Sequence, residues 1–334
     1  MRDQVEILSE IIQSIQRLDD GGTNSLVRKG REILNLSQIS QPYRYQNGTR
    51  SAAAEFGADT FLFNAYHIDI SIPDPLSVLF VNRQVLHSDQ KLKSDFQVKD
   101  INRILEQCKV ISFARWANSE DASQLWDRLR TNVIKPIGRK DFEFIFYLGD
   151  MEQKPVYEID EILDIISEFS SSGRVTLVLT DREATTLWKR LNGKGDNLEL
   201  SFAGINDHEL RYIFNTIKIE RLLVYAPDHR ITILSRGGVM EMSGPHLHHT
   251  NTQYSAQNYF DAGYILGLLL QLSTAHCAAI GLTLASAYLR NEVIHDFKTL
   301  VAHIQDWIRE LNKTFVELSE PTTAEMSITT LLKK

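Results

Sequence analysis

Residues 244–290 constrain this chain more than any other stretch. They read GPHLHHTNTQYSAQNYFDAGYILGLLLQLSTAHCAAIGLTLASAYLR. A polar loop carrying Gly and His residues feeds an almost uninterrupted apolar segment, 259–272. Ser273-Thr274 break it, and a second apolar segment rich in small residues runs over 275–289. The first segment is shorter than a bilayer span and contains Asp261. Two such segments are expected to be helices packed face to face, forming the floor of a cleft in a large α/β domain. The loop ahead of them would place backbone N–H groups at a helix N-terminus, an arrangement suited to an anion.

The rest of the chain fits that setting. With 334 residues there is ample sequence for one large α/β core or two smaller ones. No linker, fixed-period repeat or low-complexity segment cuts it, so residues 1–320 are read as one domain and 321–334 as a polar tail. A net charge of −7, with Lys and Arg scattered, excludes the basic face expected of a nucleic-acid or anionic-membrane binder. Cys108 and Cys277 lie in apolar surroundings and are expected as buried free thiols of a reducing compartment. The opening residues show an amphipathic pattern rather than an apolar leader, and a cytoplasmic location is expected.

Taken in order, Val5, Ile7, Leu8, Ile11, Ile12, Ile15 and Leu18 repeat at helical spacing, ended by Asp19-Asp20-Gly21-Gly22. This helix could pack on its own domain or on a second copy, as in a homodimer. Further helices are expected over 24–34, 51–60, 98–107, 119–132, 158–169, 183–191, 209–216 and 297–315. Strands are expected over 61–66, 76–81, 109–113, 142–148, 175–179 and 221–225, with a hairpin from 231–234 and 239–242. The alternation from 61 to 191 predicts a mostly parallel central sheet with helices on both faces.

Several motifs carry a resemblance. Arg115-Trp116 and Leu125-Trp126 match a strand end and helix, each with a Trp. Phe146-Tyr147-Leu148-Gly149-Asp150 matches a strand ending in Asp, and Thr180-Asp181-Arg182-Glu183-Ala184 an Asn-x-x-Glu-Ala motif. Ser255-Ala256-Gln257-Asn258-Tyr259-Phe260-Asp261-Ala262-Gly263 aligns with a GAGDxFxAG signature. In this order of parts the chain resembles the ribokinase/PfkB carbohydrate-kinase family, in particular its bacterial sugar-kinase branch. The match runs from residue 110 onward. Upstream, only Gly48, beside Asn47, and the Ala52–Ala54 run answer to the family's sugar-binding Gly-Gly motif. The family's first strand, which carries a substrate-binding Asp, has no counterpart. Gly21-Gly22 reads as a helix stop followed by a cap.

The resemblance implies a ribokinase-like fold, ATP and Mg2+ as cofactors if the chain is active, and a nucleotide or small sugar-like ligand. The signature Asp would be the general base, and the flanking glycines would close backbone amides around the transferring phosphoryl group. Here the base position is Asn258, whose carboxamide accepts no proton near neutral pH. Ser255 and Gln257 stand at the two glycines and, with their Cβ atoms, resist positive φ. Ala256 lies between them. Thr180 replaces the family's Asn on the nucleotide side, and Glu183 survives. Asp261, one helical turn beyond Asn258, or a His of the 246–249 cluster is the candidate for a displaced base. His246, His248 and His249 form the one histidine cluster, beside Asn251 and Thr252. No metal site is expected there, since no Cys or carboxylate partner is near in sequence. Asp228-His229-Arg230 reads as a polar turn. The expectation is a divergent, catalytically impaired kinase relative kept for binding or assembly. The alternatives are an active kinase with a relocated base and an interaction scaffold.

Overall fold

A computed structural model describes residues 2–20, 78–81, 109–113, 116–118, 122–193, 205–226, 228–245, 253–269, 271–290 and 297–319. The helices expected over 24–34, 51–60 and 98–107 lie outside these residues. So do the strand over 61–66, Asn47, Gly48, Cys108, Arg115, the 246–249 histidines with Asn251 and Thr252, and the tail.

The strands are β1 (Val78–Val81), β2 (Val110–Phe113), β3 (Phe142–Tyr147), β4 (Gly173–Thr180), β5 (Arg221–Tyr225), β6 (Arg230–Ser235) and β7 (Gly238–Ser243). They form one mixed sheet in sequential order. Pairing is parallel from β1 to β5 and antiparallel across β6 and β7. The helices are α1 (Arg2–Asp20), α2 (Ala122–Leu129), α3 (Val156–Glu168), α4 (Asp181–Leu191), α5 (Asp207–Ile217), α6 (Gln253–Leu269), α7 (Thr274–Leu289) and α8 (Phe297–Ser319). The α/β class and the flanking of the sheet by helices agree with the sequence.

Strand alternation divides the core into two layers. Ile111, Phe113, Phe144, Phe146, Leu177, Leu179, Leu222 and Val224 point to one face, where α2, α3, α4 and α5 cover them. Parallel crossovers are right-handed, so a sheet that always adds strands in one direction collects its crossover helices on one side. The opposite face presents Val110, Ile145, Val178, Leu223 and Tyr225. It is closed by α6, α7, α8 and the inner side of α1, with Leu8, Ile11 and Ile15. The opening helix therefore packs on its own domain.

On the crossover side, Phe113 stacks on Phe146 at 4.4 Å between ring centres and meets Trp126 edge-on at 5.1 Å. Trp116 is buried, donates its indole N–H to Ser123 Oγ at 2.9 Å, and lies under the Lys154 ammonium. The helix expected over 119–132 runs on past Leu129 through a π-helical stretch, Arg130–Ile134, and stops at Gly138 in the left-handed region (φ 72°).

Beneath α6 and α7 the sheet carries a buried ionic group. Glu143 on β3, 1% exposed, pairs with Arg221 on β5 and Arg174 on β4. Arg221 is itself buried, and the Tyr264 phenol and Cys277 thiol sit within its electrostatic reach. Removing one partner would leave a buried charge uncompensated, so this group ties three strands together at their amino ends. Burial in this layer pushes the Cys277 thiol up to about 12, which makes it an inert core residue.

The α6–α7 pair closes through glycine. A Cβ on Gly263 would lie 2.7 Å from the Gly281 Cα, and one on Gly267 would lie 2.7 Å from the Cys277 Cα. Both contacts are to backbone, so neither neighbour can yield by rotating a side chain. Gly267→Ala is therefore expected to cost roughly 1–3 kcal/mol through overpacking, despite its better helix propensity. A urea midpoint at or above the wild-type value would refute the packing argument.

Candidate functional site

In an open α/β sheet ligands bind in the crevice outside the carboxyl ends of the strands. Here β3, β4 and β5 end in Tyr147, Thr180 and Tyr225. Tyr147 and Tyr225 both have the strand phase that turns the side chain toward α6. Along α6, Gln257, Phe260, Asp261 and Tyr264 recur at helical spacing, the pattern of one helical face. A rise of ~1.5 Å per residue sets Asp261 and Tyr264 at different heights over the sheet. Tyr264 falls near Arg221 and Thr176, and Asp261 falls near Tyr147 and Tyr225.

The polar contacts at this end form a short chain. The hydroxyl of Ser112, buried on β2, hydrogen-bonds Tyr147, and Tyr147 hydrogen-bonds the Asp261 carboxylate. Burial first, and the Asp261 charge second, push the Tyr147 phenol well above its usual value. It therefore stays protonated and donates to the carboxylate. Tyr225 is pushed up for the same reasons in the same order. Its hydroxyl lies 2.7 Å from His229 Nδ1, and its ring lies 5.5 Å from that of Phe260.

His229 is not only a polar turn residue. It is 5% exposed and holds a left-handed φ of 59°, which costs a non-glycine residue about 1 kcal/mol or more. Its backbone explains the placement: its N–H donates to Ala226 O, and its carbonyl accepts from Gly244 N–H at 3.0 Å. Its Nε2 is buried with no hydrogen-bond partner among the described residues. Burial lowers its proton affinity, outweighing the nearby Asp228 charge.

The residues singled out from the sequence take the following places. Ser255, Ala256, Gln257 and Asn258 lie inside α6, which begins at Gln253 rather than at residue 259. Past the first turn, the N–H groups of Gln257 and Asn258 belong to the helix ladder. Ala256 and Gln257 are buried. Asp261 is half-buried on the same helix. Thr180 and Glu183 form a capping box at the start of α4. Thr180 Oγ1 accepts from Glu183 N–H, and the Glu183 carboxylate accepts from Thr180 N–H at 2.7 Å. Asp150 follows Gly149 at the end of β3 and meets the exposed Arg182, which also pairs with Glu152. Among the described residues no group of three or more His, Cys, Asp or Glu side chains could hold a metal ion, and no helix is long and apolar enough to cross a membrane. The sequence reading missed Tyr147, Tyr225, Ser112 and His229. The inward strand phase of the two terminal tyrosines was the available signal.

Fold and site thus define an α/β protein with a polar cluster where an apolar helix crosses the strand ends. Residues 79–307 match the family described as prokaryotic ketohexokinase. The chain belongs to that family and, through it, to the PfkB/ribokinase superfamily. No curated protein sequence matches. Among solved structures, ribokinase from Thermotoga maritima is 10% identical, with a TM-score of 0.43 over 64% of this chain and 61% of that one. Arabidopsis thaliana ribokinase complexed with ribose and ATP is 16% identical, with a TM-score of 0.42 over 61% and 58%. Adenosine kinase from Sinorhizobium meliloti is 13% identical, with a TM-score of 0.40 over 59% and 54%. The chain spans less than two thirds of the length of each of these structures.

The lowered proton affinity of His229 has a pH consequence. The unfolded chain binds a proton near the ordinary histidine value of about 6.5, and the folded chain only at lower pH. Its contribution to stability is therefore complete above that value and is lost as pH falls from it toward the folded value. His229→Asn, which tolerates the left-handed φ, should flatten the fall in Tm between pH 7.5 and 5.5. An unchanged slope in the variant would show that the imidazole does not titrate this way.

Proposed function

We propose that this chain keeps the framework of a sugar kinase as a binding module and does not transfer phosphoryl groups at enzyme rates. The observation that carries the reading is the state of residues 255–258. Asn258 replaces the carboxylate that the family uses as base, and Ser255 and Gln257 replace the glycines. The whole tetrapeptide runs inside α6. An oxyanion-type site needs N–H donors aimed at the developing charge; the amides of 257 and 258 are committed to the helix ladder, which leaves only the first-turn amides of 255 and 256. On the nucleotide side, Thr180 and Glu183 cap α4. Family membership supports a ketohexose or similar polyol as ligand, with ATP and Mg2+ required only if transfer survives. A cytoplasmic, metal-free protein fits this reading.

One observation favours a second reading, an active kinase with Asp261 as the base. Its carboxylate sits one turn beyond residue 258 on the same helix, at the ligand end of the sheet. Against that, the Tyr147 hydroxyl already occupies an acceptor position on it.

A coupled assay with ATP, Mg2+ and a ketohexose separates the two readings. A typical enzyme turns over at ~10 s⁻¹, and a missing general base costs ~10²–10⁴-fold, so turnover below about 10⁻¹ s⁻¹ is expected. Turnover near 1 s⁻¹ that disappears in Asp261→Asn would replace the proposal with the relocated base.

A further inference from the structure

The turn that follows α6 gathers three side chains at the end of that helix far from residues 255–261. It closes with Gln271 in the left-handed region (φ 59°), whose N–H donates to Leu268 O at 3.0 Å. Ser273 then opens α7, and His276 follows three residues on. Ser273 Oγ lies 3.0 Å from His276 Nδ1, and His276 Nε2 lies 2.9 Å from Glu10 Oε2. Glu10 belongs to α1, 266 residues away in sequence. It reaches α7 because Leu8, Ile11 and Ile15 of its helix are buried in the same core layer. The proton positions follow from the groups themselves. A carboxylate only accepts, so Nε2 carries a proton, and in the neutral ring Nδ1 accepts from the Ser273 hydroxyl.

Ser273 also caps α7, its Oγ accepting from His276 N–H at 3.3 Å. A cap requires neither an imidazole nor a distant carboxylate. A nucleophile requires both: a base within hydrogen-bond reach and a third group that orients the base. The ring is reversed relative to the usual serine–histidine–acid order, with Nδ1 rather than Nε2 toward the hydroxyl, but each group keeps its role. The His276 side chain is only 15% exposed and so is held in place, whereas Ser273 is open to solvent. The first-turn amides of Thr274 and Ala275 have no acceptor within the helix and are donors available to an oxyanion beside Ser273.

We propose that Ser273, His276 and Glu10 form a hydrolytic site for small acyl esters, separate from the strand-end site and independent of the function proposed for it. Ser273 Oγ attacks the ester carbonyl carbon as its proton passes to His276 Nδ1. The tetrahedral intermediate collapses, the C–O bond to the alcohol breaks, and the alcohol departs with the proton from Nδ1. Water then attacks the acyl-serine carbonyl and gives a proton to Nδ1. Collapse releases the carboxylic acid and returns that proton to Ser273 Oγ. One ester and one water become one acid and one alcohol. Glu10 stays ionised and stabilises the imidazolium formed in each half.

The test is hydrolysis of p-nitrophenyl acetate by the full chain and three variants, each checked for native secondary structure by circular dichroism. Ser273→Asn keeps a good helix cap and removes the nucleophile. His276→Gln removes the base, and Glu10→Gln removes only the orienting charge. The wild type should release p-nitrophenol faster than buffer and, quenched early, carry an acetyl group on Ser273 by peptide mass spectrometry. Ser273→Asn and His276→Gln should each lose ~10²-fold or more, and Glu10→Gln about tenfold. No release above buffer, an acetyl group only on other residues, or an unchanged rate in Ser273→Asn would each overturn the proposal. Glu10→Gln, on the exposed side of α1, decides alone if the α7 variants unfold: an unchanged rate there would also overturn it. None of these readouts involves ATP or a sugar, so the kinase assay and this one fail independently.

Discussion

The structure depends on how a one-directional parallel sheet is closed. Strands β1 to β5 are added in sequence order, and right-handed connections deposit α2 to α5 on one face. The other face must be covered from outside the alternation, or it would remain a large exposed apolar surface. Helices α6 and α7 supply most of that cover, joined by α8 and α1. Gly263, Gly267 and Gly281 bring α6 and α7 to backbone contact. That contact fixes the height and rotation of α6 over the sheet. The position of Asp261 is thus set by packing rather than by the polar contacts it makes.

This cover is apolar around most of its circumference, so the polar groups on its inner face stand out. Asp261 and Tyr264 are separated by about one turn and address opposite halves of the strands. At the amino ends the sheet offers an ionic group already closed on itself, Glu143 between two arginines, which holds strands together and leaves little chemistry to spare. At the carboxyl ends it offers tyrosine hydroxyls and an imidazole held at positive φ. Strained backbone that tertiary structure maintains is more common at sites than elsewhere. The two ends therefore differ in kind: one is a closed ionic group, and the other is a cluster of hydroxyls and an imidazole around one carboxylate.

Much of the architecture was legible because its signals are long and repetitive. The Phe142–Tyr147 strand is apolar at every position but Glu143, α1 shows a clean helical stripe, and Gly237 and Gly238 mark the turn of the β6–β7 hairpin. The start of α6 was not legible. An apolar criterion put it at residue 259, yet nothing in Gln253-Tyr254-Ser255-Ala256-Gln257-Asn258 interrupts a helix. The π-helical stretch at Arg130–Ile134 has no sequence signature either. The site was only partly legible. Asp261 stood out as a charge in an apolar segment, but its partners Tyr147 and Tyr225 look like ordinary strand ends until the phase toward α6 is known. His229 looked like a turn residue because its burial comes from Gly244 and the return of β7, contacts distant in sequence.

The residues at 255–258 share a single backbone consequence. Glycine at 255 and 257 would disfavour the helix by about 1 kcal/mol each and permit another course for the chain. Serine and glutamine remove that cost, and α6 extends back through the segment. Once it does, the amides at 257 and 258 enter the ladder. The residue types at 255, 257 and 258 are thus coupled through one backbone course, that of α6.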